Sequence, residues 1–227
     1  MIKLSKRLLM VAGMVRDGSV VADIGTDHAY LPVYLIQKGI CPKAVAADLR
    51  EMPLKNAEET VIENQLTDKV TLILSDGLDS VPEGIADDIT LAGMGGDLIS
   101  DILSRIQWIK NKDIRIIAQP QTHSEKVRKF FIDNGFRIIR EDACIDDNRN
   151  YICMCAEFTD ETVSYDFGYE YYGELPYCGN ECAKEYLIHQ RNRFMKRAEG
   201  LGKSGQNTEE AEFLYKLVKR FDEILED

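Results

Sequence analysis

Four aspartates close short apolar runs, and the order in which they do so suggests a chemistry. Asp23 and Asp27 bracket Gly25 and Thr26 in "VVADIGTDHAYLP", Asp48 closes "KAVAADL", and Asp76 with Gly77 closes "KVTLILSDGL". A fourth run, "DDITLAGMGG", ends in Ala92-Gly93-Met94-Gly95-Gly96, and a fifth, "IRIIAQP", ends in Gln119-Pro120. Where such runs are the strands of an open parallel sheet, ligands bind beyond their carboxyl ends, so these residues form one rim. The first element lacks the G-x-G-x-x-G fingerprint of a dinucleotide enzyme, because Asp27 fills the place of the second glycine. Acids repel a pyrophosphate, which weighs against a nicotinamide dehydrogenase.

The same acids suit a ligand without phosphates, such as S-adenosylmethionine, whose sulfonium and ammonium are cationic and whose ribose offers hydroxyls. Asp23 and Asp27 can hold the amino-acid end, with Gly25 admitting close backbone approach. Asp48 can accept the ribose hydroxyls, and Asp76 with Gly77 can take the adenine amino group. Thr26, His28, Leu49, Ala92 and Gly93 complete the expected cofactor-facing set, and no metal is called for. Any one aspartate has a plainer explanation, since Asp is common at strand ends and helix caps. Four in register are more specific.

Methyl transfer is an in-line displacement that needs placement more than proton chemistry. The expected catalytic rim is Gly93, Met94, Gly95 and Gly96, with His28, Tyr30, Gln119 and Pro120 as pocket walls. The glycine loop either orients a methyl acceptor through its backbone or is simply a tight strand-to-helix turn. Tyr30 either stacks on that acceptor or packs in the core. His28 either orients the acceptor or caps the following helix. His123 and His189 read as ordinary surface or packing histidines.

The elements that must position these residues alternate. An amphipathic helix opens the chain; strands over Ser19 to Ile24, "KAVAADL", "KVTLILSDGL", "DDITLAGMGG" and "IRIIAQP" alternate with helices over Leu31 to Gly39, "MPLKNAEETVIENQ", "DLISDILSRIQWI" and "SEKVRKFFIDNG". This is the signature of an α/β fold, a Rossmann-like parallel sheet covered by helices on both faces. "FRIIREDACIDDNRNYICMCAEF" breaks the rhythm and predicts an antiparallel edge hairpin turning at Asp146 to Asn150. Residues 1–160 form the expected cofactor-binding domain. Residues 161–227 form a helical hairpin, with helices over about 180 to 201 and 207 to 226, a turn in "LGKSGQN", and an apolar seam of Tyr186, Leu187, His189, Gln190, Phe194 against Phe213, Leu214, Leu217, Val218, Phe221 and Ile224.

The chain has 227 residues, 44% of them hydrophobic, and a formal net charge of -11. No apolar run spans a membrane and the first residues lack a signal-peptide cleavage pattern, so a cytoplasmic protein is expected. Six cysteines without a C-x-x-C pair read as reduced core thiols. Cys153 and Cys155 fall on one strand face, and Cys178 and Cys182 lie one helical turn apart. The acidity argues against nucleic-acid binding through a general field, so an RNA partner needs local basic patches. Two exist: Lys3, Lys6, Arg7 and Arg16 at the start, and Lys184, Arg191, Arg193, Lys196, Arg197 and Lys203 in the first C-terminal helix.

"LSKRL", "VADIGTDHAYLP", "AGMGG" and "QP" together resemble the bacterial tRNA (adenine-N1)-methyltransferases that modify position 22 of tRNA. The resemblance covers about residues 1 to 160, and the C-terminal part is similar to that family's coiled-coil domain in architecture. It implies a class I S-adenosylmethionine-dependent fold with Gly25, Asp27 and His28 beside the methionine moiety, Asp48 on the ribose, Asp76-Gly77 on the adenine, and tRNA as the partner. A monomer is expected, because the hairpin buries its own seam. The competing readings are a methyltransferase acting on a small molecule or protein, and an RNA-binding module without catalysis.

Overall fold

The computed structural model of the chain describes residues 1–161, 163–204 and 208–226, without the side chains of 203, 204 and 208. Strands β1 (Val21–Ile24), β2 (Ala44–Asp48), β3 (Val70–Leu74), β4 (Asp88–Gly95) and β5 (Arg115–Thr122) are parallel. Strands β6 (Phe136–Asp146) and β7 (Arg149–Phe158) form the antiparallel hairpin, with β7 against β5. The seven-stranded order is β3-β2-β1-β4-β5-β7-β6. The order in which strands are added therefore reverses between the parallel β1 and β4, and the rim residues gather at that switch.

Alternate residues of the central strands serve opposite faces, as the two-residue period requires. Ala22, Ile24, Ile89, Leu91 and Ile116 pack into one core, while Val21, Ala44, Ala46 and Ile117 pack into the other. Both faces are covered by helices: α1 (Lys6–Ala12), α2 (Tyr30–Gln37), α3 (Glu51–Glu63), α4 (Gly96–Ser104) and α5 (Ser124–Asp133). The first strand begins at Val21 rather than Ser19, because the Ser19 hydroxyl donates to the Arg16 carbonyl at 2.8 Å and holds a turn there. The edge hairpin turns at Asp147 and Asn148, both left-handed with φ of 47° and 58°. Two such residues make the hairpin turn whose twist matches its strands, and Asp and Asn tolerate it best.

Beyond β7 come α6 (Tyr169–Tyr172), α7 (Glu181–Ser204) and α8 (Thr208–Glu226). Of the expected turn "LGKSGQN", residues 201–204 continue α7 instead, and 205–207 lie outside the described residues, as does the side chain of Lys203. The helical pair, together with α6, shares the sheet's core: Tyr172, Leu187, Leu217 and Phe221 belong to the same apolar cluster as Ile89 and Phe131. His189 leaves the expected seam for the surface, and Ala183 and Ala198 are buried instead, since small residues let two helices approach closely. Cys178 ends a short 3-10 turn and Cys182 lies in α7, so the two do not share a helix. All six cysteines are free thiols.

Beside this apolar contact, the connector between sheet and helical pair is held by polar groups. Arg128 on α5 and Glu141 on β6 form a fully buried ion pair at 2.8 Å. The Arg128 guanidinium also donates to the carbonyls of Glu170 and Tyr171, and Glu141 accepts the Glu174 N–H at 2.6 Å. Gly173 sits against both charges, with a Cβ there falling 2.1 Å from Glu141 Oε2. Removing one member leaves a buried, unpaired charge, which costs about 3–5 kcal/mol. Arg128→Met is expected to lose that much in urea denaturation. Arg128→Met with Glu141→Leu should recover part of it, the freed carbonyls preventing full recovery.

Candidate active site

The loop after β1 is built from its own backbone. Gly25 adopts φ +75°, and the N–H groups of Gly25 and Thr26 both donate to the Ala47 carbonyl, at 2.8 and 3.0 Å. These amides are consumed by β2 and cannot cradle a phosphate, which gives a structural reason for the missing dinucleotide fingerprint. The Thr26 hydroxyl accepts the Ala29 N–H at 3.2 Å, and Ala29 starts α2 in a left-handed conformation. His28 does not cap that helix. Its ring stacks on Tyr30, centroids 5.0 Å apart and 9° from parallel, and its Nε2 lies 3.4 Å from Asp27. Tyr30 is 44% exposed and is not a core residue.

Asp23 is the buried acid of the rim. Parallel register sets it beside Thr90 of β4, whose hydroxyl donates to it at 2.8 Å. Burial pushes its pKa up from 3.8 to about 6, against the hydrogen bonds from Thr90 and Thr26 and the charge of Arg7, which lower it. Arg7 reaches the same place from α1. Its Nη1 donates to Gln119 Oε1 at 2.7 Å, its guanidinium lies 5.8 Å from the Tyr151 ring centre, and its backbone N–H donates to Asp146. A cavity of about 230 Å³ is lined by Arg7, Asp23, Asp27, His28 and Tyr30, with Ala92 at its wall. Arg7, expected among RNA-facing residues, thus stands in the mouth itself. The α1 sequence alone gave no sign of this, because the contact depends on tertiary packing.

The glycine loop separates into distinct tasks. Gly93, at φ +85°, makes the register shift between β4 and β5, and its N–H donates to Gln119 Oε1 at 3.1 Å. Gln119 is fully buried and so acts through Gly93 and Arg7, as a positioning residue rather than a pocket wall. Met94 lies over the first loop, where a Cβ on Gly25 would come 2.0 Å from its Cε. Gly96 starts α4 against the turn before α5, a Cβ there falling 2.1 Å from the His123 carbonyl oxygen, and Gly95 lies close to Thr122. The plainer reading therefore holds for Gly96, which serves packing, whereas Gly93 and Met94 shape the rim. Pro120 borders a second, larger cavity.

Asp48 is buried at the end of β2 and accepts its own loop's Arg50 N–H at 2.8 Å, while the neighbouring Leu49 is 61% exposed. Asp76 is exposed at 52% of its side chain and is paired with Arg105 of α4 at 3.1 Å, a partner not anticipated from sequence. Gly77 follows at φ +59°, with Ile102 too close to allow a Cβ.

The basic patches divide in a similar way. Arg16 turns to the opposite end of the sheet, where it donates to the buried Asp88 through its backbone N–H and Nε, each at 2.7 Å. Arg191 is bound by Asp222 and Arg197 by Glu210. Lys184, Arg193 and Lys196 are exposed on α7 with no carboxylate at ion-pair distance among the described residues.

Comparison with known proteins agrees with this geometry. Residues 4–154 match a family model described as a methyltransferase domain. The tRNA (adenine(22)-N(1))-methyltransferase of Bacillus subtilis is 36% identical over 165 residues, covering 73% of this chain and 69% of the relative. The crystal structure of the Bacillus subtilis M1A22 tRNA methyltransferase TrmK superposes with a TM-score of 0.86 at 29% identity, over 99% of this chain and 100% of that one. A structure of M. capricolum TrmK in complex with S-adenosyl-homocysteine superposes with a TM-score of 0.82 at 25% identity, over 98% of each chain. Similarity of this extent in both sequence and three-dimensional structure establishes that the chain belongs to the methyltransferase-domain family and, within it, to the tRNA (adenine(22)-N(1))-methyltransferases.

Proposed function

We propose that this chain transfers a methyl group from S-adenosylmethionine to N1 of adenine 22 in tRNA, the reaction named for its Bacillus subtilis relative. One observation carries the reading. A buried carboxylate, Asp23, and a guanidinium with no carboxylate at ion-pair distance among the described residues, Arg7, face the same small cavity. That pairing fits the zwitterionic end of an amino acid, whose ammonium needs an anion and whose carboxylate needs a cation. Asp48 at the next strand end suits ribose hydroxyls, and the exposed Leu49 beside it suits the face of an adenine ring.

When bound, S-adenosylmethionine supplies the methyl group by in-line displacement. Adenine N1 carries its lone pair at neutral pH, so no side chain need remove a proton before attack, and the protein's task is placement at roughly 3–3.5 Å. The exposed face of the His28–Tyr30 stack offers an extruded base a partner. The Gly93 bulge breaks strict register with β5, which supports a role for its backbone in orienting the base edge. Arg193, Lys184 and Lys196 support contact with the tRNA backbone. The α7–α8 seam closes within one chain, with Val218 and Phe221 buried, which supports a monomer. Among the described residues no helix is long and apolar enough to cross a membrane, and six free thiols support a cytoplasmic setting.

The direct test incubates the protein with labelled S-adenosylmethionine and tRNA transcripts carrying adenine or guanine at position 22. Label recovered as N1-methyladenosine from the adenine transcript alone is expected, and equal labelling of both transcripts would refute the position. Separately, Arg7→Gln should weaken S-adenosylmethionine binding about tenfold or more in calorimetry while leaving the salt dependence of tRNA binding unchanged.

Asp23 gives a pH prediction with a definite sign. Its folded pKa is raised, so the cost of burying its charge is absent below about pH 4 and fully present above about pH 6. A shift from 3.8 to about 6 corresponds to roughly 3 kcal/mol. Asp23→Asn should therefore raise the melting temperature of the ligand-free protein at pH 8, and this gain should vanish near pH 4. In the unsubstituted protein, S-adenosylmethionine affinity should fall as pH drops through 6, and in Asp23→Asn it should be weak and flat.

A further inference from the structure

We propose that the larger cavity beside the catalytic rim is a phosphate subsite for the RNA strand, in which Arg149 and Arg193 hold a phosphodiester near the methylated adenine. This rests on the tRNA reading above. The cavity has a volume of about 390 Å³ and lies where the end of β5, the β6–β7 turn and α7 meet. Its wall begins at Pro120, which is paired in register with Met94 of the catalytic loop, so it starts one strand away from the rim. Neighbouring strands lie about 4.8 Å apart, a separation well within one nucleotide.

Arginines in this acidic chain are mostly neutralised. Of the thirteen in the sequence, nine have a carboxylate at ion-pair distance. Those without one among the described residues are Arg7, Arg137, Arg149 and Arg193. Arg7 has its place in the first cavity, and two of the other three come from separate elements to line this single cavity. Two guanidiniums brought together without an anion repel each other, and the planar fork of each matches a phosphate's oxygens. The one acid in the wall, Glu125, accepts from the His123 Nδ1 at 3.0 Å and so is already engaged. The remaining polar surface, from Asn148, Asn150 and His189, can bond to phosphate or sugar.

The test measures tRNA affinity by filter binding across a range of salt, for the full chain and for Arg149→Gln with Arg193→Gln. Arg137→Gln serves as a control for loss of an acid-free arginine elsewhere. Losing two phosphate contacts should lower the slope of log K against log salt by about 1.4–1.8 and weaken binding at low salt about tenfold or more. S-adenosylmethionine affinity and melting temperature should not change, and Arg149→Lys with Arg193→Lys should keep most of the slope. A slope equal to that of the unsubstituted protein or of Arg137→Gln would overturn the assignment while leaving tRNA methylation standing. Failure of the unsubstituted protein to bind or methylate tRNA would instead remove the reading on which the subsite rests, and the subsite with it.

Discussion

The buried pair of Arg128 and Glu141 fixes how the two parts of the molecule meet. An ion pair out of reach of water needs partners for its remaining donors and acceptors, and here the connector supplies most of them, through the carbonyls of Glu170 and Tyr171 and the N–H of Glu174, while Arg128 Nη2 finds no hydrogen-bond partner among the described residues. The connector is thereby held in one geometry against α5 and β6. Gly173 completes the arrangement, because no side chain fits between it and the two charges. The cavity that Arg193 lines has α7 as one wall and the end of β5 as another, so its shape is inherited from this joint.

A second polar junction does similar work at the rim. Gln119 Oε1 accepts from Gly93 and from Arg7 at once, which ties the bulge of β4 to the opening helix. Val11 and Ala12 bury the helix against the sheet, and Asp146 accepts its Arg7 N–H. Held in this way, it delivers a cation to the cavity in which Asp23 supplies the anion. The site is thus closed on one side by a short element whose arginine is aimed in part by a buried amide.

On the proposed reading, Asp23 sets function against stability. Its carboxylate is desolvated, with Thr90 and Thr26 to bond it and Arg7 nearby to offset the cost. A neutral residue would pack there more favourably near neutral pH, but it would forfeit the charge proposed to meet a ligand ammonium. Asp88, equally buried, is at the opposite end of the sheet and is satisfied by Arg16 and Ser19, so its role is structural. Burial alone does not distinguish the two acids; their partners and their place on the sheet do.

The alternation of apolar runs and helical periods was enough to define the parallel sheet, the edge hairpin and the helical pair, because these patterns express which faces must be buried. Strand ends marked by Asp and Gly likewise identified the rim, since the topology of an open sheet sends every such end to one side. What the sequence left open depended on contacts between distant residues. It could not show that Arg7 lines the cavity at the end of β1 while Arg16 is spent on Asp88, that Arg105 pairs with Asp76, or that Gly96 serves packing against His123. Nor could it separate Arg193 from its neighbours Arg191 and Arg197, three basic residues on one helix of which two find carboxylates on α8. Charge and spacing are local properties of the chain; whether a charge is neutralised is decided only when the fold brings its partner within about 4 Å.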